Sequence, residues 1–175
     1  DLFKKAETTN FTAPHGKHQQ VPLDYGNQPC MYIAHLFNYA GAPWLTQKWV
    51  SKVMEKAKSD ITPYGGYGGD EDQGQMGSLN ALMAIGLFNV QGGCNINPYY
   101  EVTSPIFDRI TIHLHSQYHQ GKKFVIETEN NDKENKYIQA IELNKEYQEQ
   151  PFIDHQDIIN GGKLNITLGK DPKSK

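Results

Sequence analysis

The feature that most constrains this chain is a change of hydrophobic period near Gly92-Gly93. Upstream, apolar residues recur at spacings of three and four; downstream they come in short β-branched and aromatic runs between polar turns. From about Pro29 to Ala40, Met31, Ile33, Ala34, Phe37 and Ala40 keep a mostly helical spacing, and Gly41 stops it. Pro43 suits the first turn of a second helix, whose stripe is Trp49, Val50, Val53, Met54 and Ala57. Only Gly41 and Ala42 lie between the two, which predicts an antiparallel helix pair. Pro63 and the run Tyr64-Gly-Gly-Tyr-Gly-Gly69 then break the pattern, and their glycines permit close approach of backbone to a ligand. A third helix is expected next, with Met76, Leu79, Leu82, Met83 and Leu87 inward and Asp70 or Asp72 as its cap. The downstream runs Tyr99 to Thr103, Arg109 to Leu114, Lys123 to Thr128, Tyr137 to Leu143 and Lys163 to Leu168 read as strands. Helices followed by consecutive strands define an α+β chain. Residues 1–24 read as an irregular lead-in with a short helix at the start, 25–90 as the helical part and 91–175 as a β-rich part.

Several function classes fall away on composition. The formal net charge is −3 and the 17 Lys and Arg are scattered, so the basic face of a nucleic-acid binder is missing. No apolar run approaches the ~20 residues of a membrane-spanning helix, and the first residues lack a signal-peptide core. Cys30 and Cys94 read as unpaired.

Three segments carry groups capable of chemistry. Gly69-Asp-Glu-Asp-Gln-Gly-Gln75 places Asp70, Glu71 and Asp72 between a glycine-rich loop and a helix start. Carboxylates so close raise one another's pKa, while a helix N-terminus favours their charged forms, so the group can hold a general base or a divalent cation. The spacing is not that of an EF-hand, which requires glycine where Gln75 stands, and a solvated acidic cap is the alternative. Tyr64 and Tyr67 on the loop, with Tyr39 and Trp44 upstream, offer flat faces for sugar C–H groups. Asp24-Tyr-Gly-Asn-Gln-Pro29 offers amide and carbonyl oxygens suited to a hard cation or a sugar hydroxyl, or else is a capped turn. His113, His115 and His119 could present a metal pair on one strand face, but polar alternation on an exposed strand explains them better.

Seven segments in order, YGNQP, LFNYAGAPWLTQKWV, GGDEDQGQMGS, LMAIGLFNV, YYEVTSPIFDRITIHL, ENKYIQAIELN and HQDIINGGKLNITLG, closely resemble the closing portion of glycoside hydrolase family 92 α-mannosidases. The resemblance runs from about Val21 to Pro172. It implies the last helices of an α/α barrel catalytic domain followed by a β-sandwich-like strand layer, and a calcium-dependent, inverting exo-α-mannosidase acting on mannose-containing glycans. Carried over residue by residue, Asp70 and Asp72 fall at the general-base carboxylates, with Glu71, Gln75 and Tyr67 as substrate contacts and Asn27 and Gln28 as Ca2+ ligands. The family's calcium turn usually reads Asn-Glu-Pro followed by Ser-His-His, whereas this one reads Asn-Gln-Pro-Cys-Met-Tyr, and Gly77 replaces a more common Ser. The resemblance also implies that the general-acid Glu lies in a missing N-terminal part, so the chain is expected to be a fragment that is inactive alone and works in the periplasm, at the cell surface or as a secreted protein. The competing expectation is a degenerate carbohydrate-binding remnant without turnover.

Overall fold

The computed structural model describes residues 2–56 and 74–173. Its helical part opens with α1 (Leu2–Thr8), whose Phe3 and Ala6 are buried, so the start of the chain belongs to the core. Phe3 stacks on Trp49 with ring centroids 5.0 Å apart, and Phe11 meets Tyr25 edge-on at 6.2 Å.

The helix expected from Pro29 to Ala40 is broken. Short 3-10 turns cover Gln28–Cys30 and Ile33–His35, and only Leu36–Tyr39 is α-helical (α2). The reason lies at Ala34, whose backbone groups are claimed from outside. Its N–H donates to the Tyr25 hydroxyl at 3.3 Å, and its carbonyl accepts from Thr46 Oγ1 at 2.9 Å. A continuous α-helix would need those same groups for its own ladder. Hydrophobic spacing survives this, because Ala34 is buried and Ile33 and Phe37 pack against the same core.

The second expected helix forms as α3 (Pro43–Lys56), with Pro43 first and Trp49, Val50 and Val53 buried. The third forms as α4 (Gln75–Ile85), but its cap is Gly74 in a left-handed conformation, not Asp70 or Asp72. Leu87 does not belong to α4 either. Gly86 ends the helix at φ +76°, where an added Cβ would stand 2.7 Å from the Thr103 carbonyl oxygen. The chain then turns into β1 (Leu87–Phe88).

All five expected strands are present: β2 (Tyr99–Val102), β3 (Arg109–His113), β4 (Lys123–Glu129), β5 (Tyr137–Leu143) and β8 (Gly162–Gly169). Three short strands among the described residues escaped the sequence reading, β1, β6 (Glu146–Tyr147) and β7 (Phe152–Asp154), as did the short helix α5 (His155–Ile159). One antiparallel sheet runs β1-β2-β7 and a mixed one runs β3-β4-β8-β5-β6. The last strand, β8, enters the middle of that sheet, parallel to β4 and antiparallel to β5.

Leu87, Val102 and Ile153 from the small sheet share one apolar core with Phe124, Ile126, Ile141, Leu164, Ile166 and Leu168 from the large one. Fully burying one such side chain is worth roughly 1.5–3 kcal/mol. The result is the expected α+β arrangement, a helical layer carrying a sandwich-like β part, and the described helices do not close a barrel. Gln47 ties the two parts together: from α3 its Oε1 accepts the Ile138 N–H of β5 at 3.0 Å.

Candidate functional site

The turn carrying Asn27 and Gln28 is built on Asp24. That carboxylate is 4% exposed. Its Oδ1 accepts the backbone N–H groups of Ala13 at 3.1 Å and Gly26 at 2.9 Å, and its Oδ2 lies 2.6 Å from His18 Nδ1. Three separate stretches of chain are thereby fixed to one side chain. Beyond it, Asn27 is extended (φ −137°, ψ 134°) and Gln28 begins a 3-10 turn with Pro29 in its first positions. Tyr25 below is buried, and burial pushes its hydroxyl pKa far above the ordinary tyrosine value.

Gln75, the first residue of α4, reaches this turn, its Nε2 donating to Met31 Sδ at 3.3 Å. The start of α4 and the Asn27-Gln28 turn therefore converge. Asp70, Glu71, Asp72 and Tyr67 lie outside the described residues.

Of the three histidines only His113 fits the exposed-strand reading, as an exposed position of β3 alternating with the half-buried Ile110 and Ile112, whereas His119 is half-buried in the loop beyond it. His115 lies past the strand, where its Nδ1 accepts the Gln117 N–H at 3.2 Å. No group of three or more His, Cys, Asp or Glu able to hold a metal assembles among the described residues. Cys30 and Cys94 are both free thiols.

A buried polar group that sequence reasoning missed joins the helices to the small sheet. His35 is 1% exposed and stacks on Phe88 with ring centroids 4.0 Å apart, and burial pushes its pKa down to about 3. Phe88 is the cross-strand partner of Glu101, so the two side chains share a face. Glu101 is fully buried, and its Oε1 accepts hydrogen bonds from the Tyr39 hydroxyl and the Val90 N–H. Burial raises its pKa above the ordinary carboxylate value. Among the described residues, neither nitrogen of His35, neither polar atom of the Asn38 amide nor Glu101 Oε2 has a hydrogen-bond partner. One signal was available: each is a polar residue inside an otherwise apolar run.

The family model of the glycosyl hydrolase family 92 catalytic domain matches residues 1–170. The chain belongs to that family. An uncharacterized secreted glycosidase of Arthroderma benhamiae is 33% identical over 159 residues, spanning 90% of this chain and 20% of its own length. A family 92 α-mannosidase of Bacteroides thetaiotaomicron matches with a TM-score of 0.74 and 27% identity over 85% of this chain and 18% of its own; that structure is a complex with mannoimidazole. A family 92 inverting mannosidase of the same organism matches with a TM-score of 0.73 and 31% identity over 88% of this chain and 20% of its own. The chain thus spans about a fifth of the length of the relatives it matches. The α+β arrangement is the one seen in these relatives' structures.

Proposed function

We propose that this chain is the C-terminal part of an exo-α-mannosidase that hydrolyses terminal α-mannosides of glycans with inversion, and that it supplies the general-base carboxylates. Membership of family 92 supports the reaction class. The observation that supports the residue assignment is the Gln75 to Met31 contact, which brings the start of α4 to the segment that follows Gln28. In this reading Asp70 or Asp72 takes a proton from water as that water attacks the anomeric carbon on the face opposite the leaving group. Glu71, Gln75 and Tyr67 orient the sugar ring. The leaving oxygen is protonated by a general acid outside these residues, so the chain alone is inactive.

The ligand chemistry at the turn fits a hard cation in kind: the side chains of Asn27 and Gln28 offer neutral amide oxygens, and Asn27 is only half-buried. Those two residues would hold Ca2+ through these oxygens, and the ion would supply positive charge beside the sugar. With Gln28 where the family usually has Glu, and the Asp24 carboxylate already committed to Ala13, Gly26 and His18, that hold is weak. In the same reading, residues 25–90 form the helical portion of the catalytic domain and 91–175 its β-rich portion. Action outside the cytoplasm is supported by the secreted Arthroderma relative. No described helix is long and apolar enough to cross a membrane.

A specific observation favours a second reading. Gln75 is spent on a thioether, a weak acceptor, at a turn that has lost charged ligands, as in a sugar-binding remnant without turnover. An assay separates the two: mannose release from α-1,2-mannobiose by the intact gene product, with and without a chelator. Release that stops in Asp72→Asn or Asp70→Asn supports the base assignment; release surviving both substitutions overturns it. No release by the intact protein overturns the enzyme reading.

A further inference from the structure

A cavity of about 410 Å3 lies between the start of α3 and the β5–β6 hairpin, inside the ~300–1,000 Å3 range of small-molecule sites. Among the described residues, its lining does not include the 27–31 turn. Two aromatic rings face it, Trp44 from the first turn of α3 and Tyr147 from β6, and Tyr147 is 58% exposed.

Around the rings stand primary amides whose hydrogen bonds to the backbone commit one end of each. Gln47, 6% exposed, gives its Oε1 to Ile138 N–H, which leaves its NH2 group as a donor. Gln139 donates from Nε2 to the carbonyls of Tyr137 and Asp171, and Gln148 donates from Nε2 to that of Glu146, which leaves both amide oxygens as acceptors. Among the described residues the Trp44 indole N–H carries no hydrogen bond. Glu149 and Lys173 also line the cavity, so its formal charge cancels. Lys173 is itself held, with Nζ 2.8 Å from the Gln139 carbonyl oxygen and 5.7 Å from the Tyr147 ring centroid.

We propose that this pocket binds a neutral hexopyranosyl unit of a glycan. A pyranose presents a flat patch of C–H groups, which packs on aromatic faces, and a rim of hydroxyls, each both donor and acceptor. The pocket offers the complement, two rings with fixed donors and fixed acceptors around them, and no net charge to select an ionic ligand. Amides already tied to the backbone lose little further entropy when a ligand binds. The site is read from its own lining and does not depend on the catalytic reading, so failure of the mannosidase assay leaves it standing.

The test titrates the full chain with methyl α-D-mannopyranoside, and with sorbitol as an open-chain polyol control, following the Trp44 indole N–H resonance by NMR. The pocket predicts a saturable shift with a Kd on the order of 1 mM, absent with sorbitol. Tyr147→Ala, at an exposed position, weakens binding by about tenfold through loss of one stacking face, with an unchanged thermal melt. Trp44→Phe keeps a ring while removing the indole donor, and it weakens binding measured by calorimetry to a smaller extent. A flat titration overturns the proposal, as does an equal response to sorbitol or binding that persists unchanged in both variants.

Discussion

The core beneath β4, β5 and β8 is built from Phe124, Ile126, Ile141, Leu164 and Ile166, whereas the helical part also buries Asp24, His35, Asn38 and Thr46 beside Trp49 and Val53. The difference shows in the backbone. In the β part the ladders satisfy most of the main chain, and side chains alternate regularly along β3 and β8. In the helical part, side chains take over backbone groups: Asp24 holds Ala13 and Gly26, while Tyr25 and Thr46 hold Ala34. A layer satisfied by its own ladder can support a site without entering it. A turn held by side chains can be aimed, and this is where Gln75 meets the segment that follows Gln28.

The largest effect that separates the two cores is expected from Ile166→Ala, at a fully buried position of β8. It should cost about 2–5 kcal/mol in urea unfolding, through lost burial plus the cavity left behind. A loss below 1 kcal/mol would mean that the β core is looser than its burial implies.

Asp24→Ala is next, with a loss of about 2–4 kcal/mol, because the Ala13 and Gly26 N–H groups would be left without their acceptor. The same variant should weaken any Ca2+ response of the Asn27-Gln28 turn, read by calorimetry. Retained affinity would show that the turn does not depend on this anchor.

His35→Phe is expected to stabilise, by about 1–3 kcal/mol, since it keeps the stack on Phe88 and removes two unpartnered nitrogens. Its pH signature is specific. His35 is held neutral with its folded pKa near 3, below the ordinary value of 6.5, so its contribution is intact above pH 6.5 and is lost as pH falls towards 3. The variant should lose that part of the acid sensitivity in pH-dependent melts. Glu101→Gln works in the opposite sense. A raised carboxylate pKa favours the folded state below the unfolded pKa, and that advantage disappears as pH rises through the folded one. The variant should therefore gain stability relative to the parent on going from acid to neutral pH.

The smallest effect belongs to the surface of the β part. Arg109 and Lys163 both pair with the Glu127 carboxylate, at 2.6 Å and 2.5 Å, and the Lys163 hydrogen bond leads in holding its pKa below the usual range. Solvent screens such pairs, so Arg109→Ala should leave the melting temperature within error at physiological salt. A clear drop would show that the β surface, and not only its core, carries stability.

By itself the sequence determined α3, the position of the five main strands, the apolar face of α4 and membership of family 92. Those depend on local periodicity and on motif order, both written along the chain. Tertiary structure decided the rest. It broke the 29–40 helix, since Tyr25 and Thr46 reach Ala34 from outside it, and it ended α4 at Gly86, where the Thr103 carbonyl leaves no room for a side chain. It also placed β8 between β4 and β5, and gathered His35, Phe88 and Glu101 at one seam. Each of these depends on partners distant in sequence, and no local period records which distant group will claim a given N–H or carbonyl.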